Sequence, residues 1–194
     1  MISRYQAIET IFEDVADGDL VLCATGMISR EVFMVRDRPS NFYMIGSMGL
    51  LSSFGLGLAL MSPEQRVIIL DGDGSVLMGL GTLPLIASEA PPNLLHIVLD
   101  NEAYQSTGGQ PCISANVSIA DIGTASGYPS SVEVNTIDGI RSALDKFRAA
   151  DGPHLVVAKV ANAPVEHIGR VTHSPTEIRD RFDGQVQGRV LAQC

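Results

Sequence analysis

The 194-residue sequence contains no tryptophan, and aromatic residues make up only 5% of it. Only two of its thirteen basic residues are lysines, Lys146 and Lys159, and twenty-two acidic residues bring the formal net charge to −9. So acidic a chain argues against binding to nucleic acid or to an anionic membrane. An anionic ligand would have to be neutralised locally, without a lysine cluster. The three cysteines, Cys23, Cys112 and Cys194, form neither a zinc-binding spacing nor a disulfide framework. They read as reduced thiols of a cytosolic protein. Long apolar runs are also missing. The most apolar stretch, Leu50 to Met61, is interrupted by serines and glycines and is too short to span a bilayer. The first nineteen residues are amphipathic and charged, unlike a signal peptide. The expectation is a soluble, cytoplasmic protein.

What is present suffices for a packed core: 45% hydrophobic and 18% charged residues. The length fits one α/β domain over residues 1–194, with 161–194 as a C-terminal extension. Apolar residues at helical spacing predict helices over 4–16, 28–36, 47–61, 79–89, 118–126 and 137–150, with another near 175–183. Short apolar runs, that at 66–70 continuous and β-branched, predict strands at 20–24, 42–45, 66–70, 94–99, 131–135 and 154–160. The Gly-, Ala- and Ser-rich segment 47–61 can bring its backbone close to a neighbour. Strands alternating with helices imply a doubly wound parallel sheet covered on both faces, which binds ligands beyond the carboxyl ends of its strands.

Three motifs stand at such ends: Gly46-Ser47-Met48-Gly49, Asp71-Gly72-Asp73-Gly74-Ser75, and the polar segment from Asp100 to Gln110. Asp73 and Asn101 are separated by one helix and one buried strand, so they should sit side by side. A carboxylate and a side-chain carbonyl there make a hard oxygen site suited to Mg²⁺. The backbone N–H groups of Gly74 and Ser75, at a helix start, suit a phosphate. Together these describe a metal-diphosphate site. The long loop after Asn101 is of a length that is usually functional. Its residues Gln105, Ser106, Thr107 and Gly108 offer neutral donors to an anionic substrate.

Other readings of the same residues exist. A Gly-Asp-Gly on its own is often a simple turn. The start of an EF-hand loop fails at Val76 and Thr82, where Gly and Glu are needed. A haloacid-dehalogenase phosphatase would use Asp71 as nucleophile and Asp73 as acid, with Lys159 and Asp100 as poor later partners. A non-catalytic binding module of similar shape is a further alternative. His96 and His154 read as core histidines with satisfied nitrogens, Cys112 as a bystander thiol, and His167 and His173 as tail residues able to approach an interface.

GDGS at 72–75 followed by DNEAY at 100–104 resembles the diphosphate-binding motif of thiamine-diphosphate enzymes. The resemblance implies Mg²⁺ on Asp73, Asn101 and the Ala103 carbonyl, with Gly72 and Tyr104 also at the cofactor. Asp100 departs from the family's usual paired asparagines at the first, non-ligand position. GSMG resembles a second family element. It implies that the Gly46 carbonyl accepts from the cofactor's aminopyrimidine, that Ser47 lies beside it, and that Met48 wedges the cofactor into a V. FYMIGSMG and the loop's STGGQP are most similar to one branch, the sulfopyruvate and phosphonopyruvate decarboxylases. In this family a Glu from a separate pyrimidine-binding domain activates the cofactor, and neither Glu9, Glu13 nor Glu31 can be assigned that role. The resemblance therefore implies a β-type subunit that works with an α-type partner in a hetero-oligomer. Its substrate would be a small anionic 2-oxo acid, sulfopyruvate, decarboxylated to sulfoacetaldehyde, or alternatively phosphonopyruvate.

Overall fold

The computed structural model describes residues 1–163 and 168–190, with side chains described through 186. His167 and Cys194 lie outside the described residues. Six parallel strands form the main sheet: β1 (Leu20–Cys23), β2 (Asn41–Tyr43), β3 (Val67–Gly72), β4 (Leu94–Asp100), β7 (Ser130–Val134) and β8 (His154–Lys159). Their spatial order is β2-β1-β3-β4-β8-β7. Two two-residue strands, β5 (Ala103–Tyr104) and β6 (Gln110–Pro111), pair antiparallel in the long loop. The long loop after Asn101 thus contains a small hairpin.

β1, β4 and nearly all of β3 and β8 are buried along their length, as strands covered on both faces must be. On one side, α1 (Arg4–Asp14) packs on α2 (Met27–Val35) and α7 (Ile137–Ala149). On the other, α3 (Leu51–Met61) packs on α5 (Thr82–Glu89), and α5 on α6 (Ile119–Ser126). Helix starts follow their caps. Ser3 accepts from the Gln6 N–H while the Gln6 side chain returns to the Ser3 N–H, and Thr136 caps α7. The expected close approach of α3 is realised at Gly55, where a Cβ would stand 2.3 Å from Ile69 Cδ1. Helix α8 (Pro175–Val190) extends further than expected and lays Phe182 against Phe42 and Phe54, covering the β2 edge.

Two helix predictions need correction. Segment 47–61 becomes helical only from Leu51, because Gly46, Ser47 and Gly49 all have positive φ (67°, 51° and 89°), outside the right-handed helical region. The predicted 79–89 helix begins only at Thr82, as α5, and an unpredicted short helix, α4 (Asp73–Met78), precedes it, with the chain turning between them around Gly79. A Cβ on Gly79 would fall 2.1 Å from the Gly49 carbonyl oxygen. Among the described residues, no helix is long and apolar enough to cross a membrane.

Candidate functional site

β1 is flanked by β2 and β3, so the chain leaves it in one direction through α2 and later re-enters the sheet on its other side. Such a divergence opens a crevice beyond the strand ends. Here a cleft opens beyond the carboxyl ends of β1, β3 and β4. Gly72, Asp73, Gly74 and Ser75 line it from β3 and α4, Asn101, Ala103 and Tyr104 from the end of β4, and Met48 from the glycine loop after β2. Gln105, Ser106 and Thr107 form its outer wall. All three strand-end motifs therefore converge. Gly46, Ser47 and Gly108 sit in the same loops but do not line the cleft.

The glycine loop is held from below. The Gly49 N–H donates to Ser75 Oγ at 3.2 Å, and the Gly46 N–H to Thr25 Oγ1 at 3.3 Å. Ser75 thus supports the loop through its side chain, a role not foreseen. Met48 is 36% exposed and faces the cleft instead of the core. On the opposite wall the Tyr104 ring lies where a Cβ on Gly74 would be, 2.3 Å from Cε1.

Asp73 is buried and has no cationic partner among the described residues. Burial, reinforced by Asp100, holds its carboxyl above the usual range, against the Gly74 N–H, Ser114 and Cys112, which pull it down. The Ser114 hydroxyl is 2.9 Å from both Asp73 Oδ2 and Asp100 Oδ1, yet it has one proton and satisfies one acceptor at a time. Asp100 has a cation: Lys159 Nζ is 2.9 Å from its Oδ2 and 2.6 Å from Glu102. The unneutralised charge is therefore on Asp73. Asn101 turns its Nδ2 to Asn162 and keeps Oδ1 toward the Ala103 N–H, at 3.3 Å each. No cluster of three or more His, Cys, Asp or Glu able to hold a metal exists among the described residues. One carboxylate, an amide oxygen and backbone carbonyls match a hard cation that shares its shell with a ligand's phosphates.

Ser114 and Lys159 reach the site from distant elements, which no local motif could reveal. Cys112, read as a bystander, is buried with its side chain against both Asp73 and Tyr104. His96 is buried but has no hydrogen-bond partner on either ring nitrogen. Its nearest charged neighbour is Asp71, with Oδ2 3.6 Å from Nε2, so the satisfied histidine expected there is absent. Asp71 itself is buried and outside the cleft lining, which removes the nucleophile a phosphatase would need. His154 bonds the Ala150 carbonyl at 3.2 Å, as a core histidine should. His173 contacts Asp37 and Arg181 on α8.

The description "Thiamine pyrophosphate enzyme, C-terminal TPP binding domain" matches residues 24–158, from the end of β1 through β8. The chain belongs to this family. Sulfopyruvate decarboxylase subunit beta of Methanothermobacter thermautotrophicus is 42% identical over 190 residues, covering 97% of this chain and 97% of that protein. Phosphonopyruvate decarboxylase of Streptomyces viridochromogenes is 38% identical over 180 residues, covering 93% of this chain but 45% of that protein. The chain thus spans about half the length of the phosphonopyruvate decarboxylases it matches. Benzoylformate decarboxylase from Polynucleobacter necessarius superposes with a TM-score of 0.70 at 18% identity, over 84% of this chain and 34% of that one. The fold is that of thiamine pyrophosphate enzymes.

Proposed function

We propose that this chain is the diphosphate-binding, β-type subunit of a two-subunit decarboxylase that converts sulfopyruvate to sulfoacetaldehyde and carbon dioxide. Coverage carries the two-subunit part of this reading: the chain matches a sulfopyruvate decarboxylase β subunit over 97% of its length, but only about half of a phosphonopyruvate decarboxylase or of another sulfopyruvate decarboxylase. The β-subunit relatives' name supports sulfopyruvate as the substrate. The phosphonopyruvate decarboxylase supports phosphonopyruvate as the alternative substrate.

Asp73, Asn101 Oδ1 and the Ala103 carbonyl would hold Mg²⁺, and the backbone of Gly74 and Ser75 would receive the diphosphate. The fit rests on Asp73, a buried carboxylate that lacks a cation in a site with few other charges. When bound, thiamine diphosphate supplies the electron sink for decarboxylation. The Gly46 carbonyl would meet its aminopyrimidine, Ser47 would flank it, and Met48 would keep it bent. The loop with Tyr104, Gln105, Ser106, Thr107 and Gly108 would shield the reacting carbon from water. The activating carboxylate would come from a pyrimidine-binding partner. No glutamate lines the cleft among the described residues, and the buried Glu31 is tied to Arg4. The assembly is read as a cytoplasmic hetero-oligomer, in keeping with its acidic composition and few cysteines.

The test is reconstitution. The purified chain alone should not release carbon dioxide from sulfopyruvate, and adding a pyrimidine-domain subunit with cofactor and Mg²⁺ should restore release. Rapid turnover by the chain alone would overturn the two-subunit reading. No turnover of either 2-oxo acid by the assembly would overturn the decarboxylase reading.

A further inference from the structure

The cleft contains one cationic side chain, and the family motifs do not include it. Arg4, the first residue of α1, lies outside the matched residues 24–158 and lines the cleft beside Gln105, Ser106 and Thr107. It is the only Lys or Arg in the lining among the described residues. A second acidic group holds it there. Nε donates to Glu31 Oε2 at 2.9 Å and Nη2 to Glu31 Oε1 at 2.6 Å, and Glu31 is fully buried. The other Nη2 proton goes to Gln105 Oε1 at 2.7 Å. Three of the five guanidinium N–H groups are therefore engaged. The two on Nη1 have no acceptor among the described residues, although the side chain is only 7% exposed. A fork fixed on two sides, with its remaining donors at a cleft wall, suits a planar or tetrahedral oxyanion.

The loop's neutral donors cannot do this alone. The Gln105 amide is already used, its Oε1 by Arg4 and its Nε2 by the Ala163 carbonyl at 3.0 Å. Thr107 Oγ1 is turned to the Tyr104 carbonyl and to Gln110. Only Ser106 Oγ, which packs by Gly26 at the cleft's edge, has no hydrogen bond among the described residues. With the metal's charge taken up by Asp73 and the cofactor's diphosphate, a substrate tail with one or two negative charges needs a cation on its own side. Arg4 supplies it from the wall formed by the loop.

We infer that Arg4 binds the anionic tail of the substrate, a sulfonate or phosphonate, with Glu31 and Gln105 as positioning residues that hold its guanidinium at the cleft. This rests on the proposed decarboxylase reading and adds to it the residue that selects the substrate. It also gives the loop a different part in recognition, since Gln105 acts through Arg4.

The experiment uses the reconstituted two-subunit assembly. Because Arg4→Met alone would leave Glu31 as an orphaned buried charge, the test variant is the double replacement Arg4→Met with Glu31→Leu, compared with Arg4→Lys. The ratio of kcat/KM for sulfopyruvate to that for pyruvate, which has no tail, should fall roughly 100-fold in the double variant, chiefly through KM. Arg4→Lys should lose less, since it keeps the charge but not the fork. Running phosphonopyruvate in parallel separates the two tails: the larger fall marks the anion that Arg4 serves. A ratio unchanged from wild type, with both substrates losing equally, would overturn the assignment and leave Arg4 a purely structural residue. If the wild-type assembly decarboxylates neither acid, the parent reading fails and calorimetric titration with ethanesulfonate decides for Arg4. Binding by wild type and not by the double variant supports it, and equal or absent binding overturns it.

Discussion

The two ends of the sheet use buried charge in opposite ways. At the amino ends of the strands, every buried carboxylate has a cation. Arg66 reaches Asp14 at 3.2 Å and Asp19 at 2.6 Å and lies over the Phe147 ring, 5.6 Å from its centre. Arg148 adds a second contact to Asp14 at 2.8 Å. Arg38 donates to the carbonyls of Ala16, Asp17 and Asp19, closing the turn before β1. At the carboxyl ends, Glu31 has Arg4 and Asp100 has Lys159, whereas Asp71 faces only His96 at 3.6 Å, and Asp73, which lines the cleft, has only hydroxyl, thiol and N–H donors. Buried pairs hold a fold together only when both partners are present. A buried carboxylate without a cation costs stability, and it persists where a ligand provides the missing charge. On the proposed reading, the difference separates the end that fastens the fold from the end that binds.

Removing a carboxylate from each end should break the comparison most sharply. Asp73→Ala should lower Mg²⁺-dependent cofactor affinity by more than roughly 100-fold, measured by calorimetry, with little loss of stability in denaturant melts. Asp19→Ala should leave cofactor affinity near wild type and destabilise the chain by about 2–4 kcal/mol, since it strips Arg66 of its closest partner. Similar outcomes for the two variants would remove the distinction.

A smaller effect should follow at the contact between the glycine loop and α4. Gly79→Ala places a Cβ against the Gly49 carbonyl oxygen. It should cost about 1–3 kcal/mol and weaken cofactor binding, because the loop carrying Met48 must shift. An unperturbed melt and unchanged affinity would show that this loop is not held by that contact. The smallest stability change is expected at Met48 itself. Being partly exposed in the cleft, Met48→Ala should move stability by no more than about 0.5 kcal/mol. Its effect should instead appear as slower exchange of the bound cofactor's C2 proton in the assembly. Equal exchange rates would deny Met48 its wedge role.

How much of this was legible in the sequence depended on distance along the chain. The strands showed because runs such as Val67–Leu70 and Leu94–Leu99 are buried on both faces and apolar throughout. The convergence of Asp73 and Asn101 showed because Gly-Asp-Gly and Asn101 end adjacent strands, and a parallel sheet brings such ends together. The partners that set the site's electrostatics did not show. Ser114 lies on a 3₁₀ turn after the hairpin and Lys159 at the end of β8, both brought in by tertiary packing. Arg4 and Glu31 lie on separate predicted helices, and only the packing of α1 on α2 makes them a buried pair. The start of α3 was misplaced because the helical pattern of 47–61 does not reveal the positive φ of Gly46, Ser47 and Gly49. Helix α4 was missed because six residues are too few for a periodicity to show.

The central claim is that the carboxyl end of the sheet, at Asp73, takes a divalent cation while the fully paired amino end does not. Paramagnetic broadening tests it directly: Mn²⁺ in place of Mg²⁺, titrated with thiamine diphosphate into the isotopically labelled chain in its reconstituted assembly. The account predicts selective loss of the amide signals of Gly74, Asn101 and Ala103, with those of Asp14, Asp19 and Arg66 unchanged. Broadening centred on Asp14 and Asp19, or none near Asp73 at saturating Mn²⁺ and cofactor, would contradict it.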